Sequence, residues 1–184
     1  MSAPAAQSTT SAQVEQFVNA ATTAAATVEV IDRDPQHLRD AILAKAADAE
    51  RMLFAPPQVM SPELFSPFAS DPRVVTNASS DEMVHSAVGV TEAFAGVART
   101  GSVCVDVNYQ RTGTVSLLAP LHIVVLAAEN IVPQPRDMFR KDILNGTGLQ
   151  RDFVFITGPS ATADMGPLVR GVHGPHRLHV IVVR

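Results

Sequence analysis

The sequence predicts an α/β domain with a mainly parallel sheet flanked by helices. Three short apolar runs rich in β-branched residues, 122–126, 153–157 and 178–182, show no polar alternation, which is typical of strands covered on both faces. Helical patterns and short turn-rich stretches lie between the predicted strands. A chain in which strands and helices follow one another in turn favours a parallel sheet. A length of 184 residues suits one domain.

Residues 1–27 are rich in Ala, Ser, Thr and Gln and are predicted to form a loose tail before a single domain of residues 28–184. Residues 28–31 are expected to be a short strand. Apolar side chains at steps of three and four predict an amphipathic helix over residues 36–54. Asp34 is a suitable N-cap for this helix, and Pro35 suits its first turn.

Five prolines between positions 56 and 72 exclude a long helix or a central strand. This segment is predicted to be a loop, which either only connects its neighbours or lies over the core or a cleft. Residues 73–76 suggest a short strand and residues 77–81 a turn. Further on, Thr91 is expected to cap a helix that runs to Ala98, and residues 102–107 are strand-like.

Composition narrows the possible functions. A hydrophobic fraction of 46% is enough for a substantial core, and a net charge of −4 argues against general nucleic-acid binding. Cys104 is the single cysteine, so the chain alone can form neither an internal disulfide nor a cluster held by several thiolates. The sequence shows neither a long apolar segment nor a signal-peptide pattern, so we expect a cytoplasmic protein.

Ligands of open parallel sheets gather outside the carboxyl ends of the strands. Four segments of this chain are expected at that edge: 76–81, 99–102, 156–164 and 171–176.

The segment 156–164 (ITGPSATAD) allows two interpretations. In the structural one, Gly158 and Pro159 make a turn, and Ser160 or Thr162 caps a following helix. In the functional one, backbone N–H groups and the two hydroxyls face an anionic ligand. Asp164 would repel such a ligand unless its carboxylate met a base or a ligand hydroxyl.

Three histidines, His173, His176 and His179, have an HxxHxxH spacing. Gly174 and Pro175 break any helix that would align them, and no acid lies within the motif, so no metal site is predicted. His173 is interpreted as a hydrogen-bonding loop residue. By contrast, His122 and Cys104 lie in predicted strands and are interpreted as core residues.

Four segments together resemble the LUD-domain family, in its lactate-utilisation protein C branch. They are VGVTEAFAGVARTGSV (88–103), SLLAPLHIVVL (116–126), ITGPSATADM (156–165) and GVHGPHRLHVIVV (171–183). The resemblance implies a fold similar to the ribose-phosphate isomerase, glucosamine-phosphate isomerase and CoA-transferase-like superfamily. It also implies a protein without a cofactor of its own, which works beside iron–sulfur proteins in the oxidation of L-lactate to pyruvate.

The leading hypothesis is therefore a lactate-oxidation subunit without its own redox centre, which binds a small anionic ligand or a partner surface. Three loops are predicted to supply the ligand-binding residues: Thr100, Gly101, Ser102, Gly158, Ser160, Thr162, Asp164, His173 and Gly174.

Two other hypotheses stay open. One is a stand-alone isomerase or acyl-transfer enzyme that acts on a small anionic substrate. In that enzyme Asp164 or Glu92 would be the base or nucleophile and His173 the acid, which makes Asp164 and His173 the candidate catalytic residues. The other is an interaction module in which these loops serve only the fold.

Overall fold

A six-stranded, all-parallel sheet forms the centre of the fold in the computed structural model, which describes residues 11–140, 152–164 and 166–184. The strands lie in the order β1 (Thr27–Ile31), β12 (Arg177–Val183), β7 (Leu121–Ala127), β4 (Val88–Ala93), β2 (Met52–Phe54) and β3 (Val74–Val75). The two central strands β12 and β7 are buried almost throughout. The predicted fold class is confirmed, as are the strands predicted at 28–31, 73–76, 122–126 and 178–182.

A second sheet packs beside the first. Its strands are β8 (Ile131–Val132), β5 (Ala95–Val97), β6 (Ser102–Asp106) and β9 (Phe153–Ile156), in that order. The strand predicted at 153–157 is therefore present, but it belongs to this sheet and is not covered on both faces. Val154 and Phe155 are each 41% exposed. A short antiparallel hairpin of β10 (Ala161–Thr162) and β11 (Val169–Arg170) follows it.

Helices and the second sheet cover the two faces of the central sheet. The helices α2 (Pro35–Lys45) and α3 (Pro62–Ala69) pack on one face, against Ile123 and Val125 of β7. The helix α1 (Ser11–Thr23) and the second sheet pack on the other face, against Val124 and Leu126. The alternation along β7 thus divides the core into two layers. The short helices α4 (Ser80–Val84) and α5 (Thr112–Leu118) also contact each other.

The prediction of a loose tail over residues 1–27 is wrong for the part that the structure describes. Residues 11–23 form α1, which buries Val14, Phe17 and Ala21. These positions follow steps of three and four, but small polar and alanine residues between them conceal the helical pattern in the sequence. Residues 1–10 lie outside the described residues.

The helix predicted over residues 36–54 is shorter than expected. Its start is confirmed, because the Asp34 carboxylate accepts hydrogen bonds from the backbone N–H groups of Gln36 and His37 at 2.8 and 2.9 Å. The helix ends at Lys45, and residues 52–54 form β2. Ala46 and Ala49 are buried although they lie beyond the helix. Their spacing in the sequence therefore extends the helical pattern past the end of the helix.

The segment 56–72 is not wholly a loop, since residues 62–69 form α3. Pro62 occupies the first turn, where no intrahelical N–H is needed. Pro67 cannot donate to the Glu63 carbonyl, and the Ser66 hydroxyl donates to that oxygen at 3.0 Å instead. Phe65 and Phe68 are buried, so this segment covers the core and the interpretation as a mere connector is wrong.

The helix predicted from Thr91 to Ala98 is also wrong. This stretch forms the end of β4 and the whole of β5, and every residue from 88 to 98 is buried. Burial on both faces favours the extended strand, in which Thr91 and Glu92 direct their side chains to opposite faces. The hydroxyl of Thr91 therefore bonds to a neighbouring strand and does not cap a helix.

Candidate ligand-binding site

A cavity of about 520 Å³ lies at the amino ends of β7 and β12. His122 and Leu178, the second residues of those strands, form its floor, and α5, β9 and two loops form its walls. This position corrects the expectation that all four loop segments lie at the carboxyl edge of the sheet. Residues 171–176 precede β12, residues 156–164 follow a strand of the second sheet, and residues 99–102 join two strands of that sheet.

At the carboxyl edge, a cavity of about 430 Å³ lies at the end of β1 and is lined by residues of β1, of α2 and of the turn between them, among them Glu29, Asp32 and Asp40. A crevice near the ends of β2 and β4, lined by Gln58, Glu92 and Tyr109, has a volume of about 10 Å³. That volume holds about one water molecule. The cavity at the amino edge is the better candidate for a ligand-binding site, because it is larger and is lined by residues that the sequence predicted to bind a ligand.

The two loops of the cavity hold each other through their backbones. The N–H of Ser160 donates to the carbonyl oxygen of Pro175 at 2.9 Å, and the N–H of Gly171 donates to the carbonyl oxygen of Ser160 at the same distance. A Cβ on Gly174 would lie only 3.2 Å from the Ser160 Cβ, so the glycine permits this close packing. The N–H of Ser160 thus serves the fold, whereas its side chain lines the cavity.

Four of the predicted ligand-binding residues come together at the cavity: Gly158, Ser160, His173 and Gly174. Thr162 and Asp164 do not line it. Thr162 pairs with Val169 in the hairpin, and Asp164 is exposed in the turn that follows β10. Because residues 161–162 form a strand, the expectation that Ser160 or Thr162 caps a helix is wrong.

The other three predicted residues, Thr100, Gly101 and Ser102, support the cavity without lining it. The Ser102 hydroxyl lies 2.7 Å from the Thr100 hydroxyl and 2.7 Å from that of Thr157. Thr157 lines the cavity, so this chain of hydroxyls fixes one of its polar groups.

Gly101 and Gly158 are explained by their packing against the end of α1. Both have a positive φ, of 65° and 70°. A Cβ on Gly101 would lie 2.1 Å from the Ala21 nitrogen, and one on Gly158 would lie 2.0 Å from the Ala24 carbonyl oxygen. Glycine is therefore required at both positions by backbone conformation and by space.

His122 is a cavity residue that the sequence analysis assigned to the core alone. Its side chain is fully buried, and its Nε2 lies 2.8 Å from the Thr91 hydroxyl. Burial lowers the pKa of His122 to about 3, so the ring is neutral at pH 7. Within the described residues its Nδ1 has no hydrogen-bond partner. The one feature of the sequence that could have indicated a place at the cavity is that His122 is a polar residue at the start of an otherwise apolar strand.

The three histidines of the HxxHxxH spacing do not converge. His173 lines the cavity. His179 lies on the face of β12 opposite to that of Leu178, and its Nδ1 is 2.7 Å from the Thr27 hydroxyl. Burial, reinforced by the positive charge of Lys45, lowers the pKa of His179 to about 4. Across residues 11–140, 152–164 and 166–184, no group of three or more His, Cys, Asp or Glu side chains is placed to hold a metal ion.

Glu92 and Cys104 have structural surroundings. The Glu92 carboxylate accepts hydrogen bonds from the backbone N–H groups of Gln58 and Val59 at 2.6 and 2.9 Å, and from that of Met60. It thereby anchors the segment after β2. Cys104 is fully buried, and burial raises its pKa to about 12, so the thiol stays protonated. This confirms the interpretation of Cys104 as a core residue.

Comparison with known proteins places most of the chain in one family. The LUD domain matches residues 48–183. Lactate utilization protein C of Bacillus subtilis is 36% identical over 100 residues, which cover 52% of this chain and 42% of that protein. The protein of the same name from a Geobacillus species gives the same identity and coverage. The matches to these relatives therefore span less than half of their length.

A solved structure supports the fold. The crystal structure of a DUF162 family protein from Deinococcus radiodurans superposes with a TM-score of 0.67 and covers 94% of this chain and 97% of its own. The sequence identity is 22%, so the likeness concerns the fold alone. In the part of the chain that the structure describes, no helix is long and apolar enough to cross a membrane.

Proposed function

The chain belongs to the LUD-domain family, and from that premise we propose that it acts in lactate utilisation, as a subunit in the oxidation of L-lactate to pyruvate. In this proposal the chain carries no redox centre of its own and works in the cytoplasm beside partner proteins that hold iron–sulfur clusters. The observation that carries the proposal is its match to relatives named lactate utilization protein C.

The arrangement of the site supports this proposal. The two segments by which the chain most resembles the family, 156–165 and 171–183, contact each other at Ser160 and Pro175. Together they supply most of the loop residues at the cavity, among them His173. We therefore place the role of the chain in the pathway at this cavity.

The chemistry of Cys104 supports a division of labour between subunits. Clusters of the cysteine-ligated type need several thiolates, and this chain has one cysteine whose pKa is raised by burial to about 12. In the proposed complex, electrons from lactate pass to clusters on the partner proteins.

The rival hypothesis of a stand-alone enzyme gains little support from the geometry. Asp164 does not line the cavity that holds His173, so the two candidate catalytic residues do not share a site. The Glu92 carboxylate is already bonded to three backbone N–H groups. Among the described residues, neither acid is paired with His173 for acid–base catalysis.

A gene deletion in the native host tests the pathway. We expect the deletion strain to grow on pyruvate but not on L-lactate as sole carbon source, and the wild-type gene on a plasmid to restore growth on L-lactate. Equal growth of the deletion and parent strains on L-lactate would contradict the proposed function.

Purification of the tagged chain tests the partners. Cells grown on L-lactate are lysed without oxygen, and the co-purifying proteins are assayed for iron and acid-labile sulfide. We expect at least one cluster-bearing protein in a constant ratio to the chain. A chain that purifies alone under these conditions would overturn the part of the proposal that concerns iron–sulfur partners. Cell fractionation checks the cytoplasmic location.

A further inference from the structure

The described lining of the cavity at the amino edge contains no Lys, Arg, Asp or Glu side chain. Its polar side chains are hydroxyls and two imidazoles, and the buried one, His122, is neutral at pH 7. A carboxylate or phosphate in this cavity would lose its hydration without meeting a lysine or arginine side chain in the described lining, which is costly. The lining therefore disfavours the small anion that the sequence suggested.

Most of the remaining lining is apolar. Leu117 of α5 is 53% exposed, and Val154 of β9 is 41% exposed. These two side chains and Leu178 line one concave space, whereas the Phe155 ring lies on the other face of β9, against Phe153. A ligand that covered these side chains would remove apolar surface from water, which stabilises a complex.

The volume of the cavity suits a drug-sized molecule. Pockets that bind drug-sized molecules enclose roughly 300–1,000 Å³ and combine apolar walls with a few polar groups. The cavity of about 520 Å³ falls within this range.

His122 lines this cavity, and its buried Nδ1 lacks a partner among the described residues. The ring is oriented by the Thr91 hydroxyl, 2.8 Å from Nε2. A buried nitrogen without a hydrogen bond destabilises the structure that contains it. A ligand hydroxyl or carbonyl that reached this nitrogen would remove that destabilisation.

From these observations we propose that the cavity binds a neutral, mainly apolar small molecule that carries a hydroxyl or carbonyl group, and that lactate itself does not bind there. The ligand's polar group bonds to His122, and its apolar body lies between Leu117, Val154 and Leu178. This inference goes beyond the proposed function and stands without it.

Two probes of equal ring size test the proposal on the purified full chain at pH 7. 2-Naphthol is neutral and has a hydroxyl, whereas 2-naphthoate is an anion. Methyl NMR follows the signals of Leu117, Val154 and Leu178, with Val84, exposed and outside the cavity, as a reference. We expect 2-naphthol to shift the three cavity signals saturably and to bind at least tenfold more tightly than 2-naphthoate.

Neighbouring leucines of α5 provide matched variants. Leu117 lines the cavity and Leu118 does not, although both are about half exposed. We expect Leu117→Asp to weaken 2-naphthol binding at least tenfold and Leu118→Asp to leave it within twofold. His122→Phe should weaken binding of 2-naphthol several-fold but not that of naphthalene, which lacks the hydroxyl.

Three results would overturn the proposal, and none of them depends on lactate metabolism. They are cavity methyl signals that do not respond to 2-naphthol up to its solubility limit, binding of 2-naphthoate as tight as that of 2-naphthol, and equal effects of the two leucine variants. If His122→Phe does not fold, the comparison of probes and of leucine variants still decides.

Discussion

The backbone N–H of Ser160 donates a hydrogen bond to the carbonyl oxygen of Pro175 at 2.9 Å. This bond joins the two segments that most strongly resemble the LUD-domain family. Turn residues that looked suited to ligand binding therefore first hold one loop against another. The cavity beside them is bounded by this loop pair, by α5 and by β9.

Substitution of Gly158 by alanine should destabilise the fold strongly. The new Cβ would meet the Ala24 carbonyl oxygen at 2.0 Å, and the residue has a φ of 70°. Strain and overpacking together should lower the free energy of unfolding by about 2 kcal/mol or more. Urea denaturation measures this change.

Gly166→Ala is the matched control for Gly158→Ala. Gly166 also has a positive φ, but no described atom lies within 4 Å of the place that a Cβ would occupy. Its substitution should therefore cost clearly less. Equal losses in the two variants would mean that contact with the end of α1 does not explain the glycine at 158.

Phe17→Ala tests whether α1 is part of the domain. Phe17 is fully buried against the second face of the sheet, and loss of such a side chain costs about 3–5 kcal/mol. Chemical denaturation should show this loss, whereas Gln16→Ala, on the exposed side of the helix, should change stability by less than about 0.5 kcal/mol. A loose tail would give no difference between the two variants.

Glu92→Gln should loosen the segment after β2. An amide cannot accept hydrogen bonds through both terminal atoms, so at least one of the N–H groups of Gln58, Val59 and Met60 loses its acceptor. We expect a loss of about 2 kcal/mol and faster hydrogen exchange at these three amides. Glu129→Gln, at a half-exposed ion pair with Arg33, is the control. Unchanged amide hydrogen exchange in Glu92→Gln would contradict the conclusion that Glu92 anchors the segment after β2.

The buried histidines should make stability fall as the pH is lowered. In the unfolded chain histidine has a pKa of about 6.5, whereas the pKa of His122 is lowered to about 3 in the fold by burial. The unfolded state therefore binds a proton first, so the contribution is complete above pH 6.5 and decreases as the pH falls toward 3. Between pH 7 and pH 5, His122 should account for a loss of about 2 kcal/mol.

Urea denaturation at several pH values measures this linkage. His122→Gln should show a shallower loss of stability between pH 7 and pH 5 than the wild type. His85→Gln, which removes an exposed imidazole, is the comparison variant. A pH dependence of His122→Gln identical to that of the wild type would contradict burial of a neutral imidazole.

The central strands were predictable because a strand that is buried on both faces consists almost only of apolar residues. The runs at 122–126 and 178–182 contain almost only apolar residues, and they form the middle of the sheet. The Asp34 cap was predictable for a similar reason, since a cap depends on residues adjacent in the chain. Such an interaction between neighbouring residues can be predicted without knowledge of the fold.

The errors arose where the decisive contacts are distant in sequence. Residues 91–98 suit a helix by composition, but pairing of β4 with β7 and β2 makes Thr91–Ala93 extended. The residues of α1 look like a polar tail until Phe17 is seen against the second sheet. The packing of Gly101 and Gly158 against the end of α1 was not predictable, because the sequence did not reveal α1 as a helix.

The site was predicted in part, since Gly158, Ser160, His173 and Gly174 line one cavity. The location of the site was not predicted. The sequence suggested that residues 156–164 lie at the carboxyl edge of the parallel sheet, but β9, which precedes them, belongs to the second sheet. The neutral state of His122 depends on burial in three dimensions, which its position in an apolar strand only suggested. Whether these residues bind a ligand is a prediction that the experiments above address.

Growth of the deletion strain on L-lactate, complemented with Leu117→Asp or with Leu118→Asp, tests most directly whether the cavity serves the proposed function. Both variants place a carboxylate on the exposed side of α5, but only the first places it in the cavity. With equal amounts of folded protein, we predict that Leu118→Asp restores growth on L-lactate and Leu117→Asp does not. Equal growth with both variants would contradict the account.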